Sequence, residues 1–168
     1  MKKASSTERL MFLRDVLQNQ VGYKEALDNK ANILLGVSGV IFGLALTQLN
    51  SVISVALRLG LFALIVATGF SALLCIWTIK MPFSRHKTKQ HLICYTGFSE
   101  LDRDNYFSSM KKTLDNTDKI EEEYLTEIYG LAKNSIEPKY KLVSSSTSIL
   151  TIGLIFGALL FVFSMAAA

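Results

Sequence analysis

The totals of this chain are average: 168 residues, 50% apolar, 19% charged, formal net charge +4. The placement of the charges is what excludes an ordinary soluble domain. All 18 Lys and Arg and all 14 Asp and Glu avoid three stretches, Ile33–Leu57, Leu59–Ile79 and Leu142–Ala168. What remains is too short to wrap three apolar helices as a soluble domain of about 100–150 residues. Two cysteines, Cys75 and Cys94, cannot form a disulfide framework, and two prolines and ten glycines do not make a disordered chain.

The N-terminal 30 residues form the first segment. From Thr7 to Asp28, the residues Leu10, Leu13, Leu17 and Val21, then Tyr23 or Ala26, recur at helical spacing with charges between them, which predicts an amphipathic helix. The four acids against six bases of residues 1–30 suit packing on protein better than a lipid surface, where Lys and Arg would dominate the polar face.

A membrane helix needs roughly 20 apolar residues to cross about 30 Å of hydrocarbon. Residues 31–49, 59–79 and 142–168 meet that requirement, the last with its apolar centre at Thr147–Ala167. A cleaved signal peptide does not explain the first span, because its polar leader is too long and no clean cleavage site follows. Six basic residues precede the first span, one (Arg58) lies in the 50–58 loop, and eleven lie between the second and third spans. The positive-inside rule then places the N-terminus and residues 80–141 in the cytoplasm and the C-terminus outside. Trp77 sits where an indole favours the headgroup level.

Between the second and third spans, Asp102 can cap a helix carrying Tyr106, Phe107, Met110 and Leu114. Asn116 to Asp118 supply a turn and a second cap, and Asp118 with Glu121 resembles a capping box. That second helix carries Ile120, Tyr124, Ile128, Leu131 and Ile136 and runs to Pro138, which ends it or kinks it into the third span. Leu92 to Tyr95 can be a short strand, but a lone strand needs a partner. About sixty residues bury too little surface to be stable alone, so docking with the N-terminal helix or with other subunits is expected.

No P-loop, GxGxxG, HExxH or nucleophile elbow is present, so the pattern is not that of an enzyme. His86, His91 and Cys94 lack paired CxxC spacing and read as solvated or packing residues, with no metal or other cofactor implied. The spans hold no ionisable residue, which disfavours a proton-coupled transporter. GVIFG (Gly39–Gly43) and GLIFG (Gly153–Gly157) each place two glycines on one helix face, allowing close packing within or between subunits. The hydroxyls of Ser144 to Ser148 can bond their own helix or a neighbouring one, the former being commoner.

The segments YKEALDNKANILLGVSGVIFG (Tyr23–Gly43), YTGFSELDRDNYFSSM (Tyr95–Met110) and IYGLAKNSIEPKYKLVSSS (Ile128–Ser146) resemble the Pycsar transmembrane effector family. The family's entry motif, an acid then Lys-Ala, falls here on Asp28, Lys30 and Ala31; Pro138 ahead of Lys139 is a local feature of this chain. The resemblance covers nearly the whole chain. It implies an all-α bacterial inner-membrane effector of phage defence. A pyrimidine nucleotide cyclase makes cyclic CMP or cyclic UMP on infection, and the effector responds by impairing the membrane.

Such a ligand carries one negative charge and a stacking base, so Lys or Arg near aromatic rings is what it requires. Asp28, Lys30, Arg103 and Lys139 are the expected ligand-binding residues, with Lys141 as a further base and Phe98, Tyr106, Phe107 or Tyr140 as stacking partners. The same bases also serve as topology signals, and Asp28 and Lys30 can equally form a structural ion pair. The expected partners are the lipid bilayer, the cyclic mononucleotide and further copies of the chain, with no nucleic acid. Moving a closed-to-open ratio from 1:99 to 99:1 takes about 5.5 kcal/mol, close to the roughly 6 kcal/mol that a ligand of about twenty heavy atoms supplies in total. Several ligands on one homo-oligomer relax that demand. A constitutive holin-like or toxin-like lesion protein is the alternative, and would need no receiver.

Overall fold

In a computed structural model of the chain, residues 5–49, 55–81, 92 and 101–166 are described. Among them every regular element is a helix: α1 (Ser6–Leu49), α2 (Val55–Lys80), α3 (Arg103–Leu114), α4 (Thr117–Leu131), a π-helical turn (Ala132–Ile136) and α5 (Glu137–Ala166). Three helical segments are long and apolar enough to cross a membrane, those containing the three expected spans. The chain divides into two compact units, residues 1–26 with 82–138 and residues 27–81 with 139–168.

The first unit begins at a capping box that the sequence reading did not identify. The Ser5 hydroxyl accepts the Glu8 N–H at 3.2 Å, and the Glu8 carboxylate accepts the Ser5 N–H at 2.7 Å. Two N-terminal groups that lack a partner within the helix are thereby satisfied reciprocally. The Ser5 N–H, together with the Ser5 hydroxyl, which also donates to the Glu8 carboxylate at 2.9 Å, holds the Glu8 carboxyl below its ordinary pKa. Of the expected apolar face, Leu13 is buried and Leu10, Leu17 and Val21 are half-buried; Tyr23 and Ala26 are exposed, so neither continues it.

Helix α3 starts where expected, with the Asp102 carboxylate accepting the Asn105 N–H at 2.8 Å. Tyr106 and Met110 are half-buried, but Phe107 and Leu114 are exposed, which narrows the predicted face. The cap of α4 is Asn116, whose side-chain oxygen accepts the N–H groups of Asp118 and Lys119 at 3.0 and 3.4 Å. Asp118 lies inside the first turn and not at the cap, where its charge still favours the positive end of the helix dipole. Asn116→Ala should therefore cost about 1 kcal/mol, seen as faster amide exchange over the first turn of α4.

The α4 face is as expected, with Ile120, Tyr124, Ile128 and Ile136 half-buried and Leu131 fully buried. Arg9 reaches Glu121 at 3.1 Å, a partly exposed pair of the kind that contributes about 0–1 kcal/mol. Of the segment read as a possible strand only Leu92 is described, a buried residue in a bend whose N–H reaches the Glu123 carboxylate at 3.4 Å. Residues 93–95, with His86, His91 and Cys94, lie outside the described residues.

Pro138 neither ends nor breaks the helical path. Its ring lacks an N–H and would collide with the carbonyl four residues back. The ladder widens ahead of it, and the Glu137 N–H bonds the Ala132 carbonyl five residues earlier, a π turn of the kind that relieves such conflicts and recurs at functional positions. Lys133 bonds Glu137 across this turn at 2.6 Å, and the carboxylate pushes the Lys133 ammonium above its ordinary pKa.

In the second unit the polarity is that of a membrane bundle. The buried positions of α2 are Gly60, Thr68, Ser71, Cys75 and Thr78, all small or polar. Leu59, Phe62, Phe70, Leu73 and Trp77 on the same helix are exposed. Large apolar side chains gain nothing from leaving lipid for a core that is equally apolar, so close backbone approach and hydrogen bonds hold such bundles instead. The two GxxxG motifs are used differently. A Cβ on Gly153 would overlap that of Ala67, and Gly157 lies against Gly60 and Leu64, whereas Gly39 and Gly43 have nothing within 4 Å.

The helices overrun the expected membrane boundaries: α2 begins at Val55, inside the expected 50–58 loop, and α5 at Glu137, ahead of residue 142. Residues 1–30 and the first span are not two helices; α1 runs without interruption from Ser6 to Leu49. Asp28, Asn29 and Lys30 mark a change of polarity, not of backbone conformation, because none of them prevents the next N–H from reaching its carbonyl.

Candidate functional site

The sharpest electrostatic feature is an ion pair between Asp28 of α1 and Lys139 of α5, residues 111 apart in sequence. The Lys139 side chain is 1% exposed and that of Asp28 25%. Each lies just ahead of an apolar span, Asp28 three residues before Ala31 and Lys139 three before Leu142. Alongside them Ala31, Cys75 and Val143 form a buried cluster flanked by Leu34 and Leu35. A charge so enclosed requires a partner, since isolating it from water would cost several kcal/mol.

The four expected ligand residues are therefore not equivalent. Asp28 and Lys139 are brought together, so the partner of Asp28 established here is Lys139, and Lys30, the alternative, is exposed. Arg103 belongs to the other unit, at the start of α3, exposed and with its guanidinium 5.5 Å from the Phe107 ring centroid. Tyr106 and Phe107 rings stand 6.0 Å apart, tilted by 56°. An Arg supported on an aromatic face keeps its charge and its planar fork available to an anion. Tyr140 is exposed, and Phe98 lies outside the described residues. Among the described residues no group of three or more His, Cys, Asp or Glu could hold a metal.

A second polar cluster, which the sequence reading did not assemble, lies where the three spans meet. Ser38 of α1, Ser71 and Cys75 of α2 and Ser146 of α5 are each fully buried. Ser71 Oγ is 3.0 Å from Ser38 Oγ and 2.8 Å from Ser146 Oγ. Ser146 Oγ is 3.1 Å from both Cys75 Sγ and the Ser71 carbonyl. The spacing of Thr68, Ser71, Cys75 and Thr78, one small polar stripe on a helix, was the available signal.

Three membrane-competent helices, a capped helical unit and charges enclosed at the starts of two spans define a class: a membrane protein that is helical throughout its described residues. The chain belongs to the Pycsar effector family, since the Pycsar effector protein domain matches residues 12–166. It is thus a membrane effector of antiphage defence. No curated protein and no solved structure matches the chain.

Proposed function

We propose that this effector responds to a cyclic pyrimidine mononucleotide, cyclic CMP or cyclic UMP, by impairing the integrity of the bacterial inner membrane and so arresting or killing the infected cell. The N-terminus and residues 80–141 face the cytoplasm, where the nucleotide is made, and the C-terminus faces the periplasm. The acting form is a homo-oligomer. The observation that carries this reading is the enclosed Asp28–Lys139 pair, which stands at the entry of both the first and the third span.

A cyclic phosphate is an anion that competes with the Asp28 carboxylate for the Lys139 ammonium. Exchange of one partner for the other alters the helix starts themselves, so binding and membrane rearrangement need no long relay. Arg103 on its Phe107 face offers a separate charge for the phosphate, and Lys30 an exposed one.

The test is to express the chain without its cyclase and follow membrane potential and dye entry after supplying cyclic CMP, cyclic UMP, cyclic AMP or a cyclic dinucleotide. Depolarisation with a pyrimidine mononucleotide and not with the others is the expected result. Indifference to all four would overturn the reading, and toxicity that survives deletion of residues 82–137 without any nucleotide would replace it with a constitutive holin-like lesion.

A further inference from the structure

The serine cluster admits a complete accounting of its hydrogens. A hydroxyl donates once and accepts twice. The Ser146 hydrogen goes to the Ser71 carbonyl, so the short contact between the two hydroxyls must be donated by Ser71. The Ser71 oxygen is then the acceptor for Ser38, and the Cys75 thiol donates to Ser146. All four hydrogens have one destination each, and both acceptor sites of Ser146 are filled.

Neighbouring hydroxyls behave otherwise. Thr68, Thr78, Thr147, Ser148 and Thr151 each bond a carbonyl four residues back in their own helix. That is the default for such residues in membrane helices. Ser38, Ser71 and Ser146 instead hold three helices to one another, and they do so with groups that water can replace one for one. Packed Leu side chains have no such second state. A polar contact satisfied internally when closed and by water when parted is a bistable element.

We infer that Ser38, Ser71, Cys75 and Ser146 form a latch that keeps the three spans closed in the resting effector and whose parting accompanies the membrane lesion. The inference rests on the lesion reading given above, but not on which ligand triggers it. Each interhelical bond of this kind shifts an equilibrium about threefold. The four together shift it on the order of tens of fold, a hold strong enough to keep the bundle shut and weak enough for a ligand to release.

The test uses the full chain carrying Cys94→Ser, so that Cys75 is the remaining thiol, in cells given no nucleotide. A buried neutral thiol is inert and becomes reactive when water reaches it. A charged methanethiosulfonate reports the Cys75 labelling rate, and a voltage-sensitive dye reports leak. Ser71→Ala with Ser146→Ala is expected to raise labelling on the order of tens of fold and to depolarise the cell. Ser38→Ala, which removes one bond, should raise labelling about threefold and carries the test if the double variant fails to reach the membrane. Ser148→Ala, whose hydroxyl bonds only its own helix, should change neither readout. The latch is refuted by wild-type labelling in the serine variants, by an equal rise with Ser148→Ala, or by faster labelling without leak. Because no nucleotide is added, a chain that ignores every cyclic nucleotide while showing these shifts removes the ligand reading and leaves the latch standing.

Discussion

Asp28→Asn is expected to destabilise the folded chain by about 3–5 kcal/mol, the cost of removing one member of a buried ion pair. The group left behind is the Lys139 ammonium, at the end of a side chain that is 1% exposed. Lys139→Met should be milder, because the Asp28 side chain it strands is 25% exposed and so nearer to water. The order of the two variants is thus set by which charge remains, not by which is removed. Replacing both, Asp28→Leu with Lys139→Met, strands neither member of this pair and should recover much of the loss, as apolar replacements of buried pairs often do. Thermal unfolding of the detergent-solubilised protein measures all three; the Asp28→Asn midpoint should fall by roughly 10 °C for a chain of this size. Equal losses in the two single variants, or a double variant worse than either, would show that the pair is not the buried couple inferred from its exposure.

The same pair shows what can be read in one dimension. Charges near span ends carry an evident meaning, topology, and that meaning accounted for Asp28, Lys30 and Lys139 without any contact between them. The pairing depends on how α1 and α5 are rotated about their axes, and a partner 111 residues away leaves no local trace. The spans, by contrast, were legible because they are defined by absence: a missing charge needs no partner, and Leu49 ends both the expected span and the observed helix. The boundary between Lys30 and Ala31 marks a change of composition, and because backbone hydrogen bonding is indifferent to composition α1 continues through it. Pro138 was read correctly as a disturbance. Its resolution as a π turn depends on where the displaced carbonyls point, which sequence spacing does not encode. The serine cluster was half legible, since the stripe at Thr68, Ser71, Cys75 and Thr78 was there to be seen on the second span. Only the packed register reveals that Ser71 looks toward two other helices and Thr68 toward its own carbonyls.

The two glycine motifs, nearly identical as strings, should respond oppositely to the same substitution. Gly153→Ala places a methyl group where the Cβ of Ala67 already stands. That atom is fixed to its backbone and cannot rotate aside, so helix α2 or α5 must shift. Overpacking of this kind costs about 1–3 kcal/mol. Exchanging the two residues, Ala67→Gly with Gly153→Ala, returns the missing space and should restore most of the stability, a coupling that a double-mutant cycle reads directly. Gly39→Ala and Gly43→Ala meet nothing within 4 Å, and alanine is the better helix former by up to about 1 kcal/mol, so the single chain should be no less stable with either. These open glycines therefore separate folding from assembly. If Gly39→Ala and Gly43→Ala leave thermal stability and abundance intact while abolishing depolarisation and the cross-linked oligomer, the open face of α1 meets another subunit. If they leave all of these intact, the proposed homo-oligomer does not assemble through that face.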